Sequence, residues 1–381
     1  MLKKILRRLI LIIDDLKILF LLGSFSVLSF FLRKRYWVIC ERGTDARDNG
    51  WHFYQYVKRC HPEIKVYYII DKGSADYEKV KIDTIQYGSI KNYWVIANAK
   101  KIVSTHIYSC LPYMHRARWY HSMLGKKFYF LQHGVIPNDL ITLHKERTQM
   151  RLFICGAKPE YEYIKNTFGH EEGIVQYTGL ARYDNLHDIK TKKQILIMPT
   201  WRMYIRSLTD FLQSKYYLYW QSILLDERLQ RALEEEGYQL LFYPHYEMQK
   251  YLSYFQSNSE NIVLASFEKY DVQALLKESC LLLTDYSSVF FDFAYMRKPV
   301  LYFHFDKEDF YGKHYKEGYF SYEQMGFGEV CYDVDKVVER LIYKIKNDFV
   351  VETLYEERMK SFFPLYDNKN CERIFDRIIQ N

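Results

Sequence analysis

From Tyr36 onward the chain alternates short, continuously apolar runs with stretches whose apolar residues recur every three or four positions. The first pattern marks strands buried on both faces and the second amphipathic helices. Strands are expected at residues 37–40, 66–70, 102–105, 128–131 and 152–155, with helices at 51–60 and 91–97 among those between them. A polar stretch at 187–193 lacks any apolar period. The alternation then restarts, with strands expected at 195–198, 239–243, 262–264, 281–284 and 300–303, and helices at 214–236 and 272–277. Such alternation implies parallel sheets covered on both faces. Two runs of it imply an α/β protein with two Rossmann-like domains facing a cleft, residues 37–186 and 187–381. Ligands of these sheets bind beyond the C-terminal ends of the strands, so candidate chemistry is sought there.

Residues 1–36 differ in kind. Lys3, Lys4, Arg7 and Arg8 precede an apolar stretch that Asp14, Asp15 and Lys17 interrupt and that Arg33, Lys34 and Arg35 close. The longest uncharged run, residues 18–32, is short for a spanning helix, which needs about 20 apolar residues. A basic amphipathic segment lying in an anionic inner leaflet fits this pattern better than a span or a plain core helix.

Composition narrows the classes. A chain of 381 residues, 49% hydrophobic and 27% charged, is long enough for two folded domains with full cores. Seven cysteines with no Cys-x-x-Cys pair argue for reduced thiols and against a disulfide framework or a zinc site. The net charge of +7 is concentrated at one terminus beside apolar residues, which is not the footprint of a nucleic-acid-binding face. No P-loop and no His-Glu-x-x-His helix is present. Asp333-Val-Asp335 is an Asp-x-Asp, but it sits between a short strand and a helix, where Asp335 is expected to act as an N-cap.

The strand ends carry the candidate residues. His133 follows the run Phe128-Tyr-Phe-Leu-Gln132 and precedes Gly134, a place for a general base or for a histidine bonded into a turn. Asp139, across that turn, is a candidate to orient it. Arg202 ends Pro199-Thr-Trp-Arg202 and has the fork geometry to grip a diphosphate, a surface ion pair being the plainer alternative. His245 follows a strand and Pro244, placed either to stabilise a leaving group or to sit satisfied among tyrosines. In Thr284-Asp285-Tyr286-Ser287-Ser288 a strand runs straight into a helix, whose first amides and two hydroxyls make a seat for phosphate. Asp292, one turn beyond Ser288, is placed to hold it or to meet a ligand hydroxyl.

These segments resemble the CDP-glycerol glycerophosphotransferase family, whose members make teichoic acids and related capsular polymers. The likeness rests on Thr284-Asp-Tyr-Ser-Ser288 with Phe291-Asp-Phe293 and Lys298-Pro299, on Pro199-Thr-Trp-Arg202, on His133-Gly134 and on Thr178-Gly-Leu-Ala-Arg-Tyr-Asp184. The residues flanking His133 depart from the family pattern, which bears on the acceptor more than on the base. The resemblance implies a GT-B-like architecture and a cytosolic enzyme attached to the membrane face. It further implies His133 as base, His245 as a second catalytic group, and Arg202, Thr284, Asp285, Ser287, Ser288 and Asp292 as donor-binding residues. The implied partners are CDP-glycerol or another CDP-alditol and a lipid-linked glycan or polymer acceptor. No metal or cofactor is required, although magnesium is compatible. Two rival readings follow from the same residues: a GT-B glycosyltransferase using a nucleotide sugar, and a non-catalytic membrane scaffold that binds nucleotide or polymer.

Overall fold

The computed structural model describes residues 12–13, 16–18, 20–27, 36–112 and 127–381. The chain divides into two compact units. The first comprises residues up to 135, residues 141–185 and residues 367–381; the second comprises residues 136–140 and 186–366. The tail therefore returns to the first unit instead of staying with everything beyond 187. Its helix Asn370–Gln380 buries Ile374, Phe375 and Ile378, and Phe375 stacks on His61 at 3.6 Å.

In the first unit the described strands are β1 (Tyr36–Cys40), β2 (Lys65–Ile70), β3 (Thr84–Gln86), β4 (Lys101–Ser104), β5 (Phe128–Phe130), β6 (Leu152–Cys155) and β7 (Val175–Tyr177). They pair in the order β3-β2-β1-β4-β5-β6-β7, every pairing parallel. The second unit holds β8 (Gln194–Met198), β9 (Gln239–Phe242), β10 (Ile262–Leu264), β11 (Leu281–Thr284), β12 (Val300–Phe303) and β13 (Val330–Cys331), ordered β10-β9-β8-β11-β12-β13 and also all parallel. Both orders reverse beside the first strand of the unit. A crevice opens there because the neighbouring connections leave on opposite faces of the sheet. The switch points are β1/β4 and β8/β11.

Burial follows the sequence pattern. The central strands β4, β5, β6, β8, β11 and β12 are buried along their whole length. In the second unit Trp220 is fully buried, edge-on to Phe303 at 5.3 Å, and anchors the helix Lys215–Leu225 on the sheet. Burying a side chain of that size contributes about 3 kcal/mol or less. The single helix expected at 214–236 is two helices, because Asp226 accepts from the amides of Arg228 and Leu229 and so starts a second helix, Glu227–Glu236. Asp333, not Asp335, caps the helix Val334–Lys346 by accepting from Lys336 N, and Asp335 instead pairs with Arg228.

Of the N-terminal segment, the described residues are helical, with Ile18 and Leu22 buried and Phe25 edge-on to Trp94 at 5.2 Å. Ile12, Ile13, Leu16, Phe20 and Val27 are exposed. Its flanking basic clusters lie outside the described residues. Among the described residues no helix is long and apolar enough to cross a membrane.

Candidate functional site

At the switch point of the first unit, β1 delivers Glu41 and Arg42, β4 delivers Thr105 and His106, and β5 leads through Leu131 and Gln132 to His133. Glu41 is buried, and its carboxylate accepts from the amides of Arg47 (3.0 Å), Asp48 (2.9 Å) and Trp51 (2.8 Å). It thereby occupies the N-terminus of the helix Asn49–Cys60, whose N-cap Asp48 accepts from Asn49 N. Gly50 makes room for this: a Cβ there would stand 2.9 Å from Glu41 Cγ.

His133 is fixed through its own main chain. Asn49 Nδ2 donates to the carbonyl of Gln132 at 2.8 Å, and Arg182 Nη1 donates to the carbonyl of His133 at 2.8 Å. Arg182 is buried, pairs with Asp48 at 2.7 Å, and gives its amide to Asn49 Oδ1. Gln132 takes a left-handed φ of 59°, which turns the chain sharply off β5; its side-chain amide donates to the Ile154 carbonyl and to Glu160. The imidazole that follows is exposed to solvent, while the protein packed around it still removes part of its hydration. Burial, then the charges of Arg42 and Arg182, lowers its pKa to about 4, so it is neutral at pH 7 and free to accept a proton.

His106 was not singled out by sequence reasoning. Its ring stacks on that of His133 at 4.9 Å and 16°. Arg42 Nε donates to His106 Nε2 at 3.2 Å, and Nδ1 lies 2.8 Å from the Thr105 hydroxyl. The neutral tautomer thus carries its proton on Nδ1. Burial, then His133 and Arg42, holds its pKa well below the ordinary histidine value. The signal that would have found it is the switch-point rule, since Thr105-His106 follows the strand next to β1.

Asp139 belongs with the second unit, where its amide donates to the Lys316 carbonyl and its carboxylate pairs with Lys316 Nζ at 2.5 Å. The orienting contacts on His133 come instead from Arg182 and Asn49.

In the second unit Arg202 corrects the expectation of a diphosphate grip. Its side chain is completely buried. Nε and Nη2 clasp Asp306 at 2.7 and 2.9 Å, Nη2 also meets Asp285 at 2.8 Å, and Nη1 donates to the Thr200 carbonyl at 2.7 Å. Tyr286 and Phe310 lie 5.2 and 5.0 Å from the guanidinium carbon. Asp285 in turn accepts from Thr200 N and Tyr286 N, and Thr284 Oγ1 donates to the Met198 carbonyl. Arg202, Thr284 and Asp285 therefore lash β8, β11 and the end of β12 together and face no open site. Asp306, the partner that makes this possible, was not anticipated.

Ser287 and Ser288 are half-buried at the turn into the helix Val289–Tyr295. Ser288 stands at the N-cap in a helical conformation, and its hydroxyl makes no capping bond, contrary to expectation. Asp292 is buried within that helix. His245 is half-buried after β9; its Nδ1 accepts from Glu247 N at 3.3 Å, so the neutral ring carries its proton on Nε2. Trp201 stacks beside it at 6.1 Å. Against the other side chains of this strand end lies His314, whose ring is edge-on to Trp201 at 4.6 Å and whose Nδ1 accepts from Met203 N. Among the described residues no cluster of three or more His, Cys, Asp or Glu side chains has metal-binding geometry.

Two parallel sheets with reversed strand order, each offering imidazoles and hydroxyls at its switch point, define a protein of the two-domain, GT-B-like class. Residues 22–380 match the family described as CDP-Glycerol:Poly(glycerophosphate) glycerophosphotransferase, and the chain belongs to that family. It is 32% identical over 371 residues to the minor teichoic acid biosynthesis protein GgaB of Bacillus subtilis strain 168, covering 93% of this chain and 41% of that protein. It is 27% identical over 322 residues to a teichoic acid poly(glycerol phosphate) polymerase of Bacillus spizizenii, covering 73% of this chain and 74% of the other. The chain thus spans well under half of GgaB. Among solved structures, a variant of the wall teichoic acid polymerase TagF soaked with CDPG superposes with a TM-score of 0.66 at 18% identity, over 97% of this chain and 96% of that one. That likeness shows the shared fold.

Proposed function

We propose that this chain transfers a glycerol-phosphate unit, or that of a related alditol, from a CDP-activated donor to a hydroxyl of a teichoic-acid-like or capsular polymer, releasing CMP. Family membership over residues 22–380 supports the reaction class. The chemistry rests on one observation: His133 stands at the strand-end crevice with its backbone held by Arg182 and its ring stacked on His106.

In this reading His133 takes the proton of the acceptor hydroxyl. The acceptor oxygen bonds to the β-phosphorus as the bond from that phosphorus to the bridging oxygen breaks, and the electron pair leaves on CMP. Phosphoryl transfer demands alignment and neutralisation of oxygen charge more than covalent help. Ser287, Ser288 and the Nε2–H of His245 supply donors for the phosphates, while Arg202, Thr284 and Asp285 keep that cradle in shape. The step balances without a metal or cofactor, and magnesium would serve only to neutralise donor phosphates. The exposed apolar residues Ile12, Ile13, Leu16, Phe20 and Val27, with the basic residues around them, support peripheral attachment to the cytoplasmic face of an anionic membrane.

The test incubates the full chain with labelled CDP-glycerol or CDP-ribitol and bacterial membranes. Label is expected to enter polymer with CMP release from one donor, and His133→Ala to reduce turnover at least a thousandfold. Undiminished CMP release by His133→Ala would remove the base, and release of a nucleoside diphosphate from a nucleotide sugar would replace the reaction.

A further inference from the structure

We propose that Arg42 binds a phosphate of the acceptor, so that the first unit is built for an anionic, phosphodiester-bearing chain end and not for a neutral glycan; the inference rests on the reading above and assigns its acceptor. Arg42 stands at the end of β1, at the switch point, and its side chain is 55% exposed. Nε is fixed on His106, whose ring lies flat against His133. The remaining contact, Nη1 to Asp45, is long at 3.4 Å and solvent-exposed, and such a pair contributes little.

The usual anion seat at this position is closed. The amides of Arg47, Asp48 and Trp51 are spent on Glu41, and that of Asn49 on Asp48. A carboxylate of the chain itself already fills the helix N-terminus where a phosphate would otherwise bind. Arg182, the other cation near His133, is buried and committed to Asp48 and to the His133 carbonyl. Of the two described cations whose charge reaches His133, Arg42 and Arg182, Arg42 is therefore the accessible one. A guanidinium oriented through Nε offers its outer edge for two parallel bonds to phosphate oxygens. An acceptor ending in an alditol phosphate would present its free hydroxyl a few bonds from that phosphate, within reach of His133.

The test uses the full chain and the variants Arg42→Gln and Arg42→Lys. With CDP-glycerol as donor, a membrane-inserted glycoside carrying one glycerol phosphate is compared with the same glycoside lacking it. Arg42→Gln is expected to raise the KM of the phosphorylated acceptor about ten- to hundredfold, the scale of one lost charged hydrogen bond. The donor KM and the KM of the neutral acceptor stay within threefold, and Arg42→Lys recovers part of the loss. Equal effects on both acceptors would assign Arg42 to supporting His106 and overturn the proposal. Calorimetric binding of glycerol 3-phosphate is measured in parallel. Binding that weakens tenfold or more in Arg42→Gln supports the proposal even if no CMP appears, whereas absence of binding by the unaltered chain overturns it. Absence of CMP release by the unaltered chain counts against the donor reading alone.

Discussion

Arg182 Nη1 lies 2.8 Å from the carbonyl oxygen of His133, and the same nitrogen reaches Asp48 at 2.7 Å. One buried guanidinium thus couples the helix that begins at Asn49 to the position of His133. Because the bond is to the main chain, it sets where the imidazole stands without consuming either ring nitrogen.

Arg182→Lys should slow catalysis more than it weakens donor binding. A lysine ammonium is more strongly hydrated and lacks the planar fork, so it will not reproduce this geometry when buried. A fall in kcat of about tenfold, with donor KM within threefold, is the expected outcome. Steady-state kinetics with CDP-glycerol provides the measurement, and an unchanged kcat would dissociate Arg182 from the base.

Arg202→Met should unfold the second unit before it alters affinity. The substitution leaves Asp285 and Asp306 buried without their shared cation, and breaking such a group costs about 3–5 kcal/mol. Urea denaturation should show that loss. A variant of full stability with a raised donor KM would restore the diphosphate role.

Acid should weaken both activity and fold. His133 and the buried His304 have pKa values lowered to about 4, chiefly by burial. The unfolded chain protonates them near pH 6.5 and the native chain does not, so unfolding takes up protons between those limits. The stability they contribute is complete above about pH 6.5 and declines as pH falls toward 4, by about 1 kcal/mol per pH unit from His304 alone. Urea midpoints at pH 7, 5.5 and 4.5 measure this. The acid limb of kcat/KM should fall below pH 6.5; a limb at or above that value would contradict a base depressed by burial.

Gln132→Val should cost at least about 2 kcal/mol and lower kcat, because a β-branched residue resists the left-handed backbone that aims His133. Gln132→Asn, which visits that region more readily, should lose less on both counts. Thermal melts and turnover rates of the two variants together make the comparison.

The legibility of this chain was uneven for physical reasons. Strands buried on both faces announce themselves as apolar runs, which is why β1, β4, β5, β6, β8 and β11 were placed within a residue or two. The edge strands β3 and β7 are three residues long and mix polar with apolar side chains, so no run marks them. The break at Asp226 hides inside a continuous helical period, and only its cap reveals it. His133, His245 and the two serines could be singled out as candidates because ligands of such sheets bind beyond the strand ends. Arg202 could be found for the same reason and misread, since the carboxylate of Asp306 that buries it lies 104 residues away. His106 was passed over because a lone histidine in sequence carries no sign of the ring stacked on it.

The returning tail has a temporal consequence. Residues 367–381 leave the ribosome only after the whole second unit has emerged, yet Asp184 of the first unit accepts from the amides of Asn370 and Cys371. The first unit, most of which is made before the second, is therefore finished only after it. During synthesis its flank near His61 must wait, uncovered, for a helix encoded some 300 codons downstream.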